Sequence, residues 1–271
     1  MGRLLHLSDL HFGKERGGLI APLLALAQDL RPDLVVISGD LTQRALAGQW
    51  RAAQAFVAQL PQPVLSVPGN HDVPLYNPLA RLIRPFAGYR RAMGPELEPM
   101  LDCGDLLVIG VNTTDPMAWQ RGVLRGRSLR RVADRLARAR PGQLRVVALH
   151  HPLTTPPQTG KSPMRGAERG ARALARAGAD VILSGHLHIW AAAPFALHEG
   201  ARSMLCVQAG TSLSSRVRGE NNDLNVIDFD RGLVTVTRWH TVGSDLGFVP
   251  GSVTRFQQDD PDGGWLASGP P

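Results

Sequence analysis

Six short stretches of the chain are apolar at nearly every position: residues 3–7 (RLLHL), 33–38 (DLVVIS), 63–68 (PVLSVP), 105–112 (DLLVIGVN), 144–150 (LRVVALH) and 180–185 (DVILSG). Runs of this length without polar alternation predict strands buried on both faces. Between them, residues 19–30, 47–60, 78–92, 127–139 and 167–177 have apolar positions at helical spacing and predict amphipathic helices. Past residue 200 the pattern changes to strands without helices. SMLCVQAG is one, and LNVIDFD and LVTVTRWH, joined by Arg231 and Gly232, predict a β-hairpin. Alternating units followed by hairpins imply a layered α/β fold.

The polar residues fall at particular places in this pattern. Five apolar strands end in short polar motifs, LLHLSDLH, LVVISGD, LSVPGNHD, VVALHHP and VILSGHLH. Open α/β sheets bind their ligands at loops leaving strand ends, so five such ends can converge on one site. They offer Asp9 and His11, Asp40, Asn70 with His71 and Asp72, His150 with His151, and His186 with His188. Six of the nine histidines lie at these polar strand ends; His6 precedes the first within its strand, His198 and His240 lie outside any cluster, and these three need only ordinary structural roles. Carboxylate, imidazole and amide oxygen without thiolate suit Mn, Fe, Zn or similar divalent ions rather than a structural cysteine–zinc site. There are too many ligands for one ion, whereas two ions sharing one carboxylate would use them all. Gly39, Gly69 and Gly185 beside the ligands allow backbone and ligand to approach closely.

Composition adds limits. With 271 residues, 43% hydrophobic and 20% charged, the chain has the make-up of a soluble globular protein. Its formal charge of +7 comes almost wholly from arginine, the only lysines being Lys14 and Lys161, and favours an anionic substrate. The densest basic cluster, Arg125 to Arg140, has the spacing of a solvated helix face rather than of a nucleic-acid-binding tail. Cys103 and Cys206 are too few for a disulfide framework. No apolar stretch approaches about 18 residues and the start does not read as a leader, so a cytoplasmic protein without a membrane segment is expected.

The ordered series SDLH, GD, GNHD, HHP and GHLH resembles the calcineurin-like metallophosphoesterase superfamily, over about residues 3 to 240. The resemblance implies a four-layer α/β fold, a two-sheet β-sandwich flanked by α-helices, with two divalent metals at the strand ends. It implies a metallophosphoesterase domain over 1–240, with 241–271, rich in Gly and Pro, as a C-terminal extension that is loosely packed or completes the domain. One metal would be bound by Asp9, His11, Asp40 and His188, the second by Asp40, Asn70, His150 and His186, with Asp40 bridging. In HHP, His150 directly follows VVAL and aligns best with the family ligand, which leaves His151 a supporting or packing role.

The chemistry expected of such a pair is hydrolysis. Two divalent ions about 3.5–4 Å apart lower the pKa of a bridging water, and the resulting hydroxide attacks phosphorus in line. His71 would face the site without ligating, neutralising the transition state or protonating the leaving oxygen. Asp72 either holds a histidine by a hydrogen bond or caps its own turn.

The substrate is a matter of branch. Protein phosphatases of the superfamily carry GDxxDRG, whereas this chain reads GDLTQRA, without the second acid. LLHLSDLHFG is also similar to DNA-repair exonucleases, which usually carry long extra domains. The compact length and the motif series look most like bacterial phosphodiesterases of the cyclic-AMP and glycerophosphodiester type. The expectation is therefore a small phosphodiester, with a 3′,5′-cyclic nucleotide leading. A nuclease, a nucleotide-sugar or lipid pyrophosphatase, and an inactive scaffold are the alternatives. Residues 154–166, Pro/Gly-rich with Lys161 and Arg165, are a candidate lid or a mobile surface loop. Residues 112–122 are a candidate second wall, with Trp119 for stacking or as part of the core.

Overall fold

The computed structural model describes residues 1–197, 202–243, 247–260 and 264–268. From the N-terminus the elements are β1 (Gly2–Leu7), α1 (Ile20–Leu30), β2 (Leu34–Ile37), α2 (Ala47–Val57), β3 (Val64–Ser66), α3 (Pro78–Ile83) and α4 (Ala87–Met93). The next run is β4 (Met100–Cys103), β5 (Leu106–Val111), α5 (Gly126–Leu136), β6 (Leu144–Leu149), α6 (Ala167–Arg176), β7 (Val181–Ser184), β8 (Ala191–Phe195) and β9 (Met204–Gln208). It ends in β10 (Asp223–Asp230), β11 (Leu233–Thr241), β12 (Phe248–Asp260) and β13 (Gly264–Ser268), paired antiparallel in succession.

These strands form two mixed sheets, ordered β13-β12-β11-β10-β1-β2-β3 and β4-β5-β6-β7-β9-β8. The parallel centres, β1-β2-β3 in one and β5-β6-β7-β9 in the other, are apolar on both faces for a physical reason. Leu34 and Val36 of β2 join the core between the sheets, whereas Val35 and Ile37 join a second core with α1 and α2. In β6, Val146 and Ala148 face the inter-sheet core and Val147 and Leu149 face α5 and α6. Two sheets between two helical layers thus need three separate apolar cores, which is why the strands read as unbroken runs.

Other features follow from local chemistry. The stretch 78–92 is two helices rather than one, because Pro85 disfavours the helical region for Arg84, which lies at φ −138°, ψ 56°. The β10–β11 hairpin turns at Arg231 and Gly232, both with positive φ, as a two-residue turn requires. Phe256 of β12 and Trp265 of β13, both 1% exposed, enter the inter-sheet core. His6 is buried, with Ser38 Oγ 2.8 Å from Nε2 and Asn225 Nδ2 3.2 Å from Nδ1. His198 lies outside the described residues. No helix among the described residues is long and apolar enough to cross a membrane.

Candidate metal centre

The loops leaving β1, β2, β3, β6 and β7 meet at one end of the sandwich. Asp9, His11, Asp40, His186 and His188 all have φ between 50° and 71°, five of the eight non-glycine residues with positive φ in the described chain. This left-handed conformation costs about 1 kcal/mol or more per residue, and Asp, Asn and His adopt it more readily than other side chains. Bonds between loops hold it in place. Asp9 N–H donates to Gly39 O (3.1 Å), His11 N–H to Asp40 O (3.0 Å), Gly185 N–H to His150 O (3.1 Å) and Ser212 N–H to Ser8 O (2.9 Å). Close backbone approach makes this possible, since a Cβ on Gly39, Gly69 or Gly185 would lie 2.6 Å from His150 Nδ1, 2.1 Å from Asp40 Oδ1 or 1.9 Å from Ser8 Oγ.

Each carboxylate has one oxygen fixed by the protein and one turned toward the imidazoles. Asp9 Oδ2 accepts from Ser8 Oγ (2.7 Å) and from His186 N–H (2.9 Å). Asp9 Oδ1 is buried without a hydrogen-bond partner, yet lies 3.1 Å from His188 Nε2 and 3.4 Å from His11 Nε2. Asp40 Oδ1 accepts from His71 N–H (2.8 Å), while Oδ2 is 3.3 Å from His150 Nε2 and 3.7 Å from His11 Nε2. Asn70 Oδ1 is 3.2 Å from His150 Nε2. Burial alone would raise both acids, but His188 beside Asp9 and His150 beside Asp40 hold them well below the usual carboxylate range.

Two of the histidines are oriented by groups that only accept. His150 Nδ1–H donates to Ser38 O (2.8 Å) and His188 Nδ1–H to Arg216 O (2.7 Å), which turns each Nε2 into the site. His151 differs, because both its nitrogens are engaged: Nε2–H donates to Gln120 O (3.0 Å) and Nδ1 accepts from Thr113 Oγ1 (2.9 Å). Burial, with His150 adjacent, lowers its pKa to about 3 and keeps it neutral. Burial lowers His150 as well, but Asp40 outweighs this and raises it to about 9. His186 is nearly buried and lowered well below its ordinary value, by burial first and then by His151 and His150.

These atoms fit divalent cations. Ligand atoms of Asp9, His11 and His188, of Asp9, Asp40 and His150, of His11, Asp40 and His71, and of His150, His151 and His186 lie within 4.8 Å of one another in each group. A buried carboxylate oxygen without a donor, facing two imidazole nitrogens, is the environment a hard or borderline cation satisfies.

Two predicted residues have different surroundings. The Asp72 carboxylate accepts from the N–H groups of Leu41 (3.1 Å), Thr42 (2.9 Å) and Gly69 (2.9 Å) and from Thr42 Oγ1 (3.0 Å). It ties the β2 and β3 loops together, and no histidine bonds it among the described residues. His71 stacks edge-on against His11, with ring centroids 4.8 Å apart, and burial lowers its pKa to about 4. Its Nδ1 lies 2.8 Å from Gln43 O and 2.9 Å from Arg44 Nη1, and its Nε2 accepts from Arg216 Nη1 (3.1 Å).

Sequence reasoning missed Arg44, Arg216, Ser8 and Thr113. Ser8 and Arg44 lie inside quoted motifs, one residue before Asp9 and four after Asp40. Nothing local marks Arg216 or Thr113, whose partners are 145 and 38 residues away. Trp119 is 67% exposed, on the wall rather than in the core. Residues 154–166 are tied to that wall by Arg165 with Asp115, and Lys161 Nζ donates to His186 O (2.5 Å). Burial is the main cause lowering Lys161 to about 8.

No curated protein sequence matches the chain. Two solved structures illustrate the shared fold. GAP50, the anchor in the inner membrane complex of Plasmodium, has a TM-score of 0.56 at 12% identity, covering 90% of this chain and 86% of that one. Vacuolar protein sorting 29 from Cryptosporidium parvum has a TM-score of 0.51 at 13% identity, covering 95% and 98%. The phosphopantetheinyl hydrolase of Mycobacterium tuberculosis has a TM-score of 0.49 at 18% identity, covering 78% and 90%. The sequence profile that matches, over residues 2–190, is that of the calcineurin-like phosphoesterases, and the chain belongs to this family.

Proposed function

We propose that the chain is a dinuclear metal-dependent phosphodiesterase acting on a small phosphodiester, with a 3′,5′-cyclic nucleotide as the leading substrate. The observation that carries this reading is the shared carboxylate, Asp40 Oδ2, between His11 Nε2 and His150 Nε2. Asp9, His11, Asp40 and His188 would hold one ion, and Asp40, Asn70, His150 and His186 the other. Two bound divalent ions would supply an activated water at neutral pH and neutralise the phosphate oxygens.

The chain's own residues prepare the site. Ser8 and the His186 N–H fix Asp9, the His71 N–H fixes Asp40, and Ser38 O and Arg216 O set the two imidazole rings. Such anchored ligands need little rearrangement when charge is bound. His71, whose Nε2 accepts from Arg216, would hold that guanidinium where it stabilises charge on the leaving oxygen. Arg44, His71, Trp119 and Arg216 line one recess, which supports an anionic ester with a planar group against the indole. Asp72 acts as a positioning residue for the loops of Asp40 and Asn70.

A substrate panel on chelated protein, then on Mn-, Fe- or Zn-loaded protein, tests the reading. It comprises an aryl phosphodiester and monoester, cyclic AMP, a glycerophosphodiester, a nucleoside diphosphate conjugate and single-stranded DNA. Metal-dependent turnover of small diesters, abolished in Asp40→Ala, is the expected result. No turnover with any metal, or an Asp40→Ala variant as fast as wild type, refutes it. Salt-sensitive cleavage of the oligonucleotide alone assigns a nuclease instead.

A further inference from the structure

A second polar cleft, of about 390 Å³, begins where α5 starts. Arg125 precedes the helix in extended conformation (φ −83°, ψ 141°), and no side chain caps it. The first bond in the helix is Leu129 N–H to Arg125 O, and among the described residues no acceptor is bonded to the N–H groups of Gly126, Arg127 and Ser128. From there the cleft follows Ser128, Arg131 and Arg135, one face of the helix.

Two deeply buried polar side chains line it. Asn112, 7% exposed at the end of β5, accepts Thr114 N–H through Oδ1 (2.9 Å), and no acceptor among the described residues is bonded to its Nδ2. Ser128 is 2% exposed, and its hydroxyl also lacks a bonded partner there. Neither Asn112 Nδ2 nor Ser128 Oγ is sealed from solvent, so both donors are open to an acceptor that enters the cleft.

The field around them selects the sign of that acceptor. Arg90, Arg125, Arg127, Arg131 and Arg135 line the cleft against Glu96 and Glu98. Glu98 is engaged by Arg131, whose Nε is 3.0 Å from Oε2, and its carbonyl by Arg135 Nη1 at 2.7 Å. Arg90 and Arg127 have no ion-pair partner among the described residues. Backbone N–H groups, an amide, a hydroxyl and guanidinium groups along one cleft suit an anion, and a phosphate group, with more acceptor oxygens than a carboxylate, uses more of them.

We propose that this cleft binds a phosphate group, at a site separate from the metal centre. The two sites are adjacent along the chain, since Asn112 precedes Thr113, which holds the His151 ring. The ligand is either inorganic phosphate or the phosphate of an organic monoester.

Titration calorimetry on chelated protein tests the site without any turnover, so its outcome is independent of the proposed hydrolytic activity. Inorganic phosphate and a nucleoside 5′-monophosphate are titrated separately. One saturable site is expected in wild type and equally in Asp40→Ala. Arg127→Glu should weaken it at least about tenfold by placing a carboxylate among the donors, while folding is kept because the position is exposed and an acid suits the first helical turn. Arg127→Gln should weaken it less. A tighter monoester identifies an organic ligand; equal or weaker binding identifies free phosphate. Absence of saturable binding, unchanged affinity in Arg127→Glu, or loss of binding in Asp40→Ala overturns the proposal.

Discussion

Gly69→Ala is a sharp perturbation of the candidate metal centre that leaves every proposed ligand in the sequence. The added Cβ would lie 2.1 Å from Asp40 Oδ1 and 2.4 Å from the Asp40 backbone nitrogen. One of these is backbone, so the clash cannot be relieved by a side-chain rotation. To reach ordinary van der Waals contact, at about 3.4 Å or more, Asp40 Oδ1 and the Gly69–Asp72 turn must separate by about 1.3 Å or more. A metal–ligand distance tolerates roughly ±0.2 Å, so the shift is several times what the shared carboxylate can absorb. The same movement breaks the bond from His71 N–H to Asp40 Oδ1. Overpacking of this kind costs about 1–3 kcal/mol, against a domain stability of about 5–15 kcal/mol, so the variant still folds. Elemental analysis after metal loading, with a melting curve and the rate on an aryl phosphodiester, should give a folded protein depleted of metal and slow. Gly48→Ala is the control: its nearest neighbour would be Arg51 Nη2 at 3.8 Å, within a helix that favours alanine. Wild-type metal content and rate in Gly69→Ala would refute the close-approach argument.

Four other outcomes follow from the same geometry. His71→Ala should retain near-normal metal content, because only its backbone N–H contacts Asp40, while the rate falls about 10²–10⁴-fold; metal loss instead would remove its assigned role. Asp72→Ala leaves the buried N–H groups of Leu41, Thr42 and Gly69 without acceptors and should cost about 3 kcal/mol or more, read as a lowered denaturation midpoint. Trp265→Ala should cost about 3–5 kcal/mol in urea unfolding, and an unchanged midpoint would mean that β13 adds nothing to the inter-sheet core. Cys206 is half-buried on β9, and desolvation pushes its thiol up to about 12, so a thiol reagent at pH 8 should label it far more slowly in the native protein than on unfolding; equal rates would contradict that shift.

The central strands were legible because each is covered on two sides, as the pairs Leu34/Val36 and Val35/Ile37 demonstrate. The edges were not. In β4, Met100 is exposed and only two residues pack partly, and β8 is alanine-rich with Pro194 inside it, so neither has a strand's usual signature. β12 contains Pro250 and Gly251 next to a register shift in its pairing with β11, which hides thirteen residues of strand from any periodicity. The ligand candidates were legible because chemistry concentrates them at strand ends. Their supports, such as Thr113 on His151 and Arg216 on His188 and His71, were not, because those bonds close over long stretches of chain.

The left-handed backbone at Asp9, His11, Asp40, His186 and His188 bears on how such a site is lost. At an ordinary position, alanine is the gentlest deletion of a side chain. Here alanine would remove the donor and keep the strained torsion, whereas glycine would remove both. Glycine at His188 or His11 should therefore yield a protein more stable than its alanine counterpart, and asparagine should fall between. Drift away from metal binding in chains of this shape would run through glycine and asparagine, leaving a recognisable trace at those five positions.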